Sequence, residues 1–255
     1  MAEEPSPVTL ITGASAGLGA EFARQCAALG EEVVLVARRR DRLQALAVEL
    51  GPMAHVIEAD LSETDAPARI VAEAVRRGLR VRTLINNAGF GVAGAFAALP
   101  LAGQLEMVVL NVRALTELTY AVLGDMRRRA SGAILNVAST AAFQAGPHMA
   151  VYYASKAYVL SLSEALHQEL KGSGISVTAL CPGPTATEFF DVAGAADGRL
   201  ARMATDPAAV VRAGLEGLAR NKAIVIPGAM NKLTAQSNRL LPRAAMRRIV
   251  ARLKG

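Results

Sequence analysis

The sequence predicts an α/β protein built on a parallel sheet that is covered by helices on both faces. Short apolar segments alternate with longer helical patterns along the 255-residue chain. This alternation is typical of parallel strands that are connected by helices. The strand segments are continuous apolar runs, which indicates that both faces of the sheet are buried. No repeat or linker-like segment interrupts the pattern, so a single large domain is expected.

Seven strands are predicted in chain order, at 8–12, 33–37, 53–58, 83–86, 133–137, 175–180 and 223–226. Helices are predicted between them at 18–29, 41–50, 65–77 and 101–129, and a further helix begins at Met149. Asp206 and Pro207 predict another helix start, since aspartate caps helices and proline suits the first turn.

Composition narrows the class of protein. Hydrophobic residues make up 52% and aromatic residues only 4%, so Ala, Val and Leu are expected to fill the core. No apolar run reaches the roughly 18 residues that span a bilayer, and the first residues do not resemble a signal peptide. Two cysteines, without metal-ligand spacing, favour a reducing compartment and no metal site. We therefore expect a cytoplasmic protein.

A glycine-rich turn follows the first predicted strand. Residues 12–19 read T-G-A-S-A-G-L-G. Glycines allow the backbone to approach a diphosphate closely, and the helix that follows presents free N–H groups and a positive dipole end. The spacing differs from the common G-x-G-x-x-G pattern. Its position after the first strand nevertheless favours a nucleotide site over a purely structural turn.

An arginine run follows the second strand, where an acidic residue commonly holds the ribose of NAD. Here the sequence is Ala37-Arg-Arg-Arg40, and the first carboxylate is Asp41. Arginine pairs with a 2′-phosphate and stacks on adenine, which favours NADP(H) over NAD. The alternative is a solvated helix start, although cationic charge there opposes the helix dipole.

Tyr152 and Lys156 lie four residues apart in the helical pattern that begins at Met149, so they share one helix face. A neighbouring ammonium lowers the pKa of a phenol, which would suit Tyr152 for proton transfer near neutral pH. Ser139 precedes this helix and is expected to hold a carbonyl oxygen beside the phenol. Two alternatives stay open: Tyr152 as a core aromatic with Lys156 as a surface charge, and Tyr153 as the reactive phenol.

The motifs in sequence order resemble the short-chain dehydrogenase/reductase family over nearly the whole chain. Besides the glycine turn they include Asp60-Leu61, N-N-A-G at 86–89 and Asn111. Ser139 then precedes Tyr152 by thirteen positions, Y-Y-A-S-K follows at 152–156, and P-G-P-T-A-T stands at 182–187. The strongest likeness is to a bacterial subgroup of NADP-linked oxidoreductases.

The resemblance implies one doubly wound Rossmann-type domain, with a seven-stranded parallel sheet of order 3-2-1-4-5-6-7. It implies Tyr152 rather than Tyr153 as general acid/base, with Ser139, Lys156 and Asn111 as the other catalytic residues. NADP(H) would be bound by Gly13, Ser15, Gly17, Leu18, Gly19, Arg38, Arg39, Asp60, Leu61, Asn87, Ala88, Gly89, Tyr152, Lys156, Pro182, Gly183, Thr185 and Thr187. Thr185 stands where the family more often has Val or Ile.

Three loops are expected to line the substrate pocket, at 90–96, 140–149 and 186–199. They carry mainly Phe, Ala, Gly, Val and Met, without clustered Arg or Lys, so an apolar ketone, aldehyde or acyl group is the expected substrate. Residues 188–198 are a candidate mobile lid.

The C-terminal segment 230–255 is predicted to be a basic amphipathic helical extension of the 1–229 Rossmann-type domain. From 217 to 255 there are nine basic and no acidic residues, so the remaining chain is mildly acidic. We expect the apolar side of this helix to pack on its own body or on a neighbouring subunit. Peripheral contact with an anionic membrane is the alternative. Nucleic-acid binding is disfavoured because no aromatic residues accompany the charge.

Two functions fit these features. The first is an NADP-dependent carbonyl reductase or alcohol dehydrogenase, and the second is a non-enzymatic NADP-binding redox sensor or scaffold. The complete Ser-Tyr-Lys-Asn set favours the enzyme, because a sensor has no need of a tuned phenol. The resemblance to the family also implies that the protein assembles as a homodimer or homotetramer.

Overall fold

Seven parallel strands form one sheet in the order β3-β2-β1-β4-β5-β6-β7, which confirms the predicted number, direction and order. The computed structural model describes residues 4–189, 204–237 and 242–254. The strands are β1 Ser6–Thr12, β2 Glu32–Ala37, β3 Ala54–Glu58, β4 Leu79–Asn86, β5 Gly132–Val137, β6 Ile175–Leu180 and β7 Ile224–Val225.

Helices connect these strands and continue beyond them. They are α1 Gly17–Ala28, α2 Arg40–Leu50, α3 Ala66–Arg76, α4 Leu101–Val108, α5 Leu115–Arg129, α6 Ala150–Glu169, α7 Pro207–Ala219, α8 Ala229–Ser237 and α9 Arg243–Lys254. The start of α7 agrees with its predicted cap, since the Asp206 carboxylate accepts a hydrogen bond from the Ala208 N–H at 3.1 Å.

Each face of the sheet has its own apolar core. On one face the strands pack against α3 and α5, through residues such as Ile70, Leu118 and Met126. On the other face they pack against α1, α2 and α7, through residues such as Phe22 and Leu43. Leu10 faces the first core and Ile11 the second, and both are fully buried. Burial on both sides explains why the strand segments read as continuous apolar runs.

The predicted helix 101–129 is interrupted by one turn of π-helix, Val109–Ala114, between α4 and α5. Among the described residues, this helical run alone is long and apolar enough to cross a membrane. Its buried side chains, including Met107, Leu118 and Met126, belong to the protein core. The run therefore serves as a core helix with one irregular turn.

The apolar side of α9 packs on the protein's own body. Met246 and Val250 are buried, while Arg243, Arg247 and Arg248 are exposed. This arrangement agrees with the expected packing of the basic amphipathic segment. Three residues of that pattern, at 239–241, lie outside the described residues, as does the candidate lid apart from its first two positions, 188 and 189.

Candidate active site

The carboxyl ends of β1 and β4 are joined by hydrogen bonds at the centre of the sheet. The Thr12 hydroxyl accepts bonds from the backbone N–H groups of Asn87 at 2.9 Å and Ala88 at 3.0 Å. The Asn87 amide in turn donates to the Thr12 carbonyl at 2.8 Å. These contacts fix the start of the glycine turn against the N-N-A-G segment, at the edge where doubly wound sheets bind their ligands.

The glycine turn is too tight for side chains at its three glycine positions. Gly13 and Gly17 have φ values of 66° and 54°, which favour glycine. A Cβ atom on Gly19 would lie 2.1 Å from the Gly13 carbonyl oxygen. Helix α1 begins at Gly17 without a side-chain cap and without an acidic residue in its first turn. Its first N–H groups are therefore suited to an anion such as a diphosphate. Leu18 packs into the adjoining core.

The first two residues of the arginine run face different partners. Arg39 donates from both Nε and Nη2 to the Ser15 hydroxyl of the glycine turn, each at 3.1 Å. Arg38 lies 3.7 Å from the Asp60 carboxylate and 3.6 Å from that of Glu106. Arg39 is thus the arginine that adjoins the glycine turn, whereas Arg38 is held among carboxylates at the end of β3.

Asp60 and Leu61 lie on the loop after β3. Partial burial alone would raise the pKa of Asp60, but hydrogen bonds from Ser62 and the nearby Arg38 charge hold it below its ordinary value. The Asp60 carboxylate accepts from the Ser62 N–H at 2.8 Å. Leu61 is buried in the core. An ionised Asp60 is therefore available to a polar group that binds beside the loop.

Tyr152 lies in an aromatic setting on α6. Its side chain is buried, and its ring stands 6.0 Å from the Tyr153 ring in an edge-on arrangement. The centroid of the Phe189 ring is 5.3 Å from that of the Tyr152 ring, and the two rings are tilted by 47°. Lys156 Nζ lies 5.9 Å from the Tyr152 ring centroid. Tyrosine and lysine therefore share one helix face, as their spacing predicts.

The predicted lowering of the Tyr152 pKa by Lys156 is wrong, because burial of the phenol dominates. Burial raises the pKa of Tyr152 to about 12, although its hydrogen bond with Ser139 acts in the opposite direction. Burial also lowers the pKa of Lys156 to about 8, which weakens the cation itself. Both shifts have one cause, since the low-dielectric site disfavours either charged form. At neutral pH the phenol holds its proton.

Lys156 and Asn111 are oriented by backbone carbonyls. Lys156 Nζ donates to the Val137 carbonyl at the end of β5, at 2.8 Å. The Asn111 amide donates to the Phe90 carbonyl at 2.9 Å and to the Ser155 hydroxyl at 3.0 Å. Asn111 lies within the π-helical turn and is buried. A Cβ atom on Gly89 would lie 2.8 Å from the Asn111 amide oxygen, so glycine permits this close approach.

Ser139 caps a short 3₁₀ helix, Thr140–Phe143, and its hydroxyl accepts a bond from the Ala141 N–H at 3.1 Å. The same side chain is hydrogen-bonded to Tyr152 in a way that lowers the phenol pKa. Ser139 and Tyr152 therefore meet at the end of β5, as expected for two groups that address one oxygen atom.

The segment after β6 closes the far side of the site. The Pro182 carbonyl accepts from the Thr140 N–H at 2.9 Å, and buried Thr185 donates to the Gly183 carbonyl at 3.0 Å. A Cβ atom on Gly17 would lie 3.2 Å from the Thr187 side chain. The P-G-P-T-A-T segment thus reaches back to the glycine turn.

Three contacts in this region are not predicted from the sequence. Arg42 on α2 and Glu188 form an ion pair, and Glu188 also pairs with Arg39. Val250 of α9 belongs to the same apolar cluster as Tyr152 and Tyr153. The amphipathic pattern of 243–254 indicated a buried face, but nothing in it indicated which surface that face covers.

Comparison with known proteins agrees with this geometry. The model of the short chain dehydrogenase family matches residues 7–197. The chain is 37% identical over 188 residues to sulfoacetaldehyde reductase 2 of Chromohalobacter salexigens, covering 72% of this chain and 75% of that protein. It is 36% identical over 188 residues to serine 3-dehydrogenase of Agrobacterium fabrum, covering 72% and 74%.

A solved structure extends the likeness to the fold. The short-chain dehydrogenase from Sphingobium yanoikuyae in complex with NADPH superposes with a TM-score of 0.81 at 35% identity, over 92% of this chain and 94% of that one. The sheet order, the grouped Ser, Tyr, Lys and Asn side chains and the family match agree with one another. The chain therefore belongs to the short-chain dehydrogenase/reductase family and is an oxidoreductase of alcohol and carbonyl groups.

Proposed function

We propose that this protein is an NADP(H)-dependent carbonyl reductase or alcohol dehydrogenase that acts on a mainly apolar small substrate. The observation that carries the proposal is the buried Tyr152 phenol, which is hydrogen-bonded with Ser139 and has Lys156 one turn away. This group lies at the sheet edge that also carries the glycine turn. A redox sensor would need the turn and the arginines but not this constellation.

The residues present fit NADP(H). The uncapped start of α1 suits the diphosphate, with Gly13, Gly17 and Gly19 allowing close approach. Arg39 and Ser15 would hold the 2′-phosphate, with Arg38 and Asp60 on the adenine side. The N-N-A-G and P-G-P-T-A-T segments would hold the remainder. The NADPH in the Sphingobium yanoikuyae relative supports this choice. When bound, the cofactor supplies or accepts the hydride.

Side chains of the protein itself would transfer the proton to and from the substrate oxygen. Ser139 would hold the substrate oxygen, and Tyr152 would donate its proton to that oxygen during reduction or withdraw it during oxidation. Lys156 would stabilise the phenolate while the proton is away. Asn111 would fix a water that relays protons to Lys156. A phenol with a pKa of about 12 is protonated at neutral pH and so can act as the proton donor in carbonyl reduction.

Apolar side chains around Tyr152 support an apolar substrate. Within the described part of the chain, they are contributed by α4, the start of α6 and α9, by the loop after β4, by the 3₁₀ helix Thr140–Phe143 and by the segment after β6. The cluster consists of Met107, Ala141, Met149, Tyr152, Tyr153 and Val250, with Phe90, Val92, Ala93, Val151 and Phe189 packed against it. The two relatives named above are called after small polar substrates, a sulfonated aldehyde and an amino acid. Charged substrates of this kind need charged partners, whereas the side chains gathered around Tyr152 in this cluster offer an apolar surface.

A panel of matched carbonyl compounds tests the proposal. Each apolar aldehyde or ketone is paired with an anionic analogue, sulfoacetaldehyde included, and reduction is followed as loss of NADPH absorbance. We expect kcat/KM to be at least about tenfold higher for the apolar member of each pair, because desolvating an unpaired anion is costly. A preference for the anionic members would overturn the substrate class, and no turnover of any compound would count against the proposed reaction.

The pH dependence of reduction tests the role of Lys156. The rate at low concentrations of both substrates reports ionisations of the free enzyme. The depressed pKa of Lys156, about 8, means that its cation is lost as the pH rises through that value. We expect the rate to be constant below this pH and to fall about tenfold per unit above it. A Lys156→Arg variant, which keeps its charge, should lack this fall. A wild-type profile that stays flat to about pH 10 would contradict the assignment.

Domain organisation and assembly complete the proposal. Residues 1–229 would form the Rossmann-type domain and 230–255 an extension of it, which is supported by the burial of Met246 and Val250 against the body.

Helices α4 to α6 expose apolar side chains that suit a homo-oligomer, namely Leu101, Leu105, Val108, Tyr120 and Tyr158. The proposed location is cytoplasmic, which the two free cysteines support, and the exposed arginines of α9 leave contact with an anionic membrane as the alternative.

A further inference from the structure

Glu188 bridges two arginines beside the glycine turn. One carboxylate oxygen accepts a bond from Arg39 Nη1 at 3.0 Å, and the other accepts from Arg42 Nη1 at 2.5 Å. All three side chains are about half exposed. The Glu188 carboxylate therefore pairs with two guanidinium groups, that of Arg39 just before α2 and that of Arg42 in its first turn.

The bridge lies where the 2′-phosphate of NADP(H) is expected. The same Arg39 guanidinium binds the Ser15 hydroxyl through its other two nitrogens. Thr187, next to Glu188 in the chain, packs against Gly17. A carboxylate and a phosphate both match the planar guanidinium fork, so the two anions suit the same donors.

We propose that Glu188 is an internal competitor for the 2′-phosphate, occupying Arg39 and Arg42 until NADP(H) displaces it. This inference rests on the proposed NADP(H) function and adds Glu188 and Arg42 as residues that set cofactor affinity. A phosphate carries more charge than a carboxylate and has three acceptor oxygens, so it prevails at these donors. NADH has no 2′-phosphate and leaves the bridge intact. Glu188 thus selectively weakens the binding of the phosphorylated cofactor.

Equilibrium binding measured by calorimetry tests the inference without any turnover. The titrants are NADPH and NADH, together with adenosine 2′,5′-bisphosphate and AMP, which differ only in the 2′-phosphate. For Glu188→Gln we expect about three- to tenfold tighter binding of NADPH and of the bisphosphate, in line with the loss of two exposed ion pairs. Binding of NADH and AMP should change by less than about twofold.

Two further variants separate competition from a general charge effect. Glu188→Asp keeps the charge but is too short to bridge both arginines, so it should also tighten NADPH binding. Glu58→Gln removes the same charge from a partner of Arg40, 3.5 Å away, and should change NADPH affinity little. Unchanged NADPH affinity in both Glu188 variants would overturn the inference while leaving the proposed function intact. A wild-type protein that binds neither cofactor would instead overturn the proposed function.

Discussion

Tyr152→Phe is expected to lower kcat for carbonyl reduction by at least about 1,000-fold, within the range that a general acid contributes. The substitution removes one oxygen atom and leaves the ring in contact with Phe189 and Tyr153. The substrate oxygen that Ser139 would hold then lacks a neighbouring phenol to donate the proton that reduction requires. Affinity for NADPH, measured by calorimetry, should stay within about twofold, because the glycine turn and the arginines are untouched.

Tyr153→Phe is the matched control for this prediction. Tyr153 is buried as well, and burial raises its pKa to about 12, as it does for Tyr152. The pKa therefore does not distinguish the two phenols, but their surroundings do. Ser139 acts on the pKa of Tyr152 and Lys156 stands near its ring, whereas the Tyr153 ring packs against Gly146, only 2.3 Å from where a Cβ would lie. We expect Tyr153→Phe to lower kcat less than about threefold. Equal losses in both variants would contradict the assignment of Tyr152.

The sheet was predictable because each buried strand leaves its own apolar run. β6 occupies the range predicted for it, Ile175–Leu180. β4 begins at Leu79, four residues before its predicted start. The prediction missed these residues because Arg80 and Arg82 interrupt the apolar run. The Arg82 side chain is about half exposed and forms an ion pair with Glu31. Charged residues near the end of a strand therefore obscure its start in the sequence pattern, although the backbone hydrogen bonds define that start in the structure.

The π-helical turn that carries Asn111 left no such signature. A single extra residue in a turn scarcely changes the spacing of apolar side chains over 101–129, so the pattern reads as one continuous helix. The consequence is local to the site, because this turn brings the Asn111 amide to the Phe90 carbonyl and the Ser155 hydroxyl. The sequence thus indicated which residue carries the amide but not how the backbone aims it.

Contacts between distant segments were the least predictable part of the site. Glu188 is separated by 149 residues from Arg39 and by 146 from Arg42, and no local pattern connects them. The pKa of Tyr152 was mispredicted for a related reason, since helix spacing places a cation near the phenol but does not report burial. Desolvation of the phenol outweighed its hydrogen bond with Ser139, which lowers the pKa.

Arg39→Asp is expected to reverse the cofactor preference and so to distinguish Arg39 from Arg38. Arg39 adjoins Ser15 of the glycine turn, whereas Arg38 is held between the carboxylates of Asp60 and Glu106. Replacing Arg39 removes charge-assisted bonds to the 2′-phosphate and introduces a repelling anion. We expect kcat/KM for NADPH to fall about 100-fold, while kcat/KM for NADH changes less than about threefold.

The measurement is the ratio of the two kcat/KM values with one carbonyl substrate. Arg38→Asp is expected to change this ratio by less than about tenfold, because its guanidinium lies beside Asp60 and Glu106 and not beside Ser15 of the glycine turn. Arg40→Asp makes the same charge change one residue further along, where the arginine pairs with Glu58, and should leave the ratio nearly unchanged. A reversal in Arg38→Asp without one in Arg39→Asp would show that the first arginine of the run, not the one bound to Ser15, reads the phosphate. Reversal in neither variant would mean that the chain does not select its cofactor through this run.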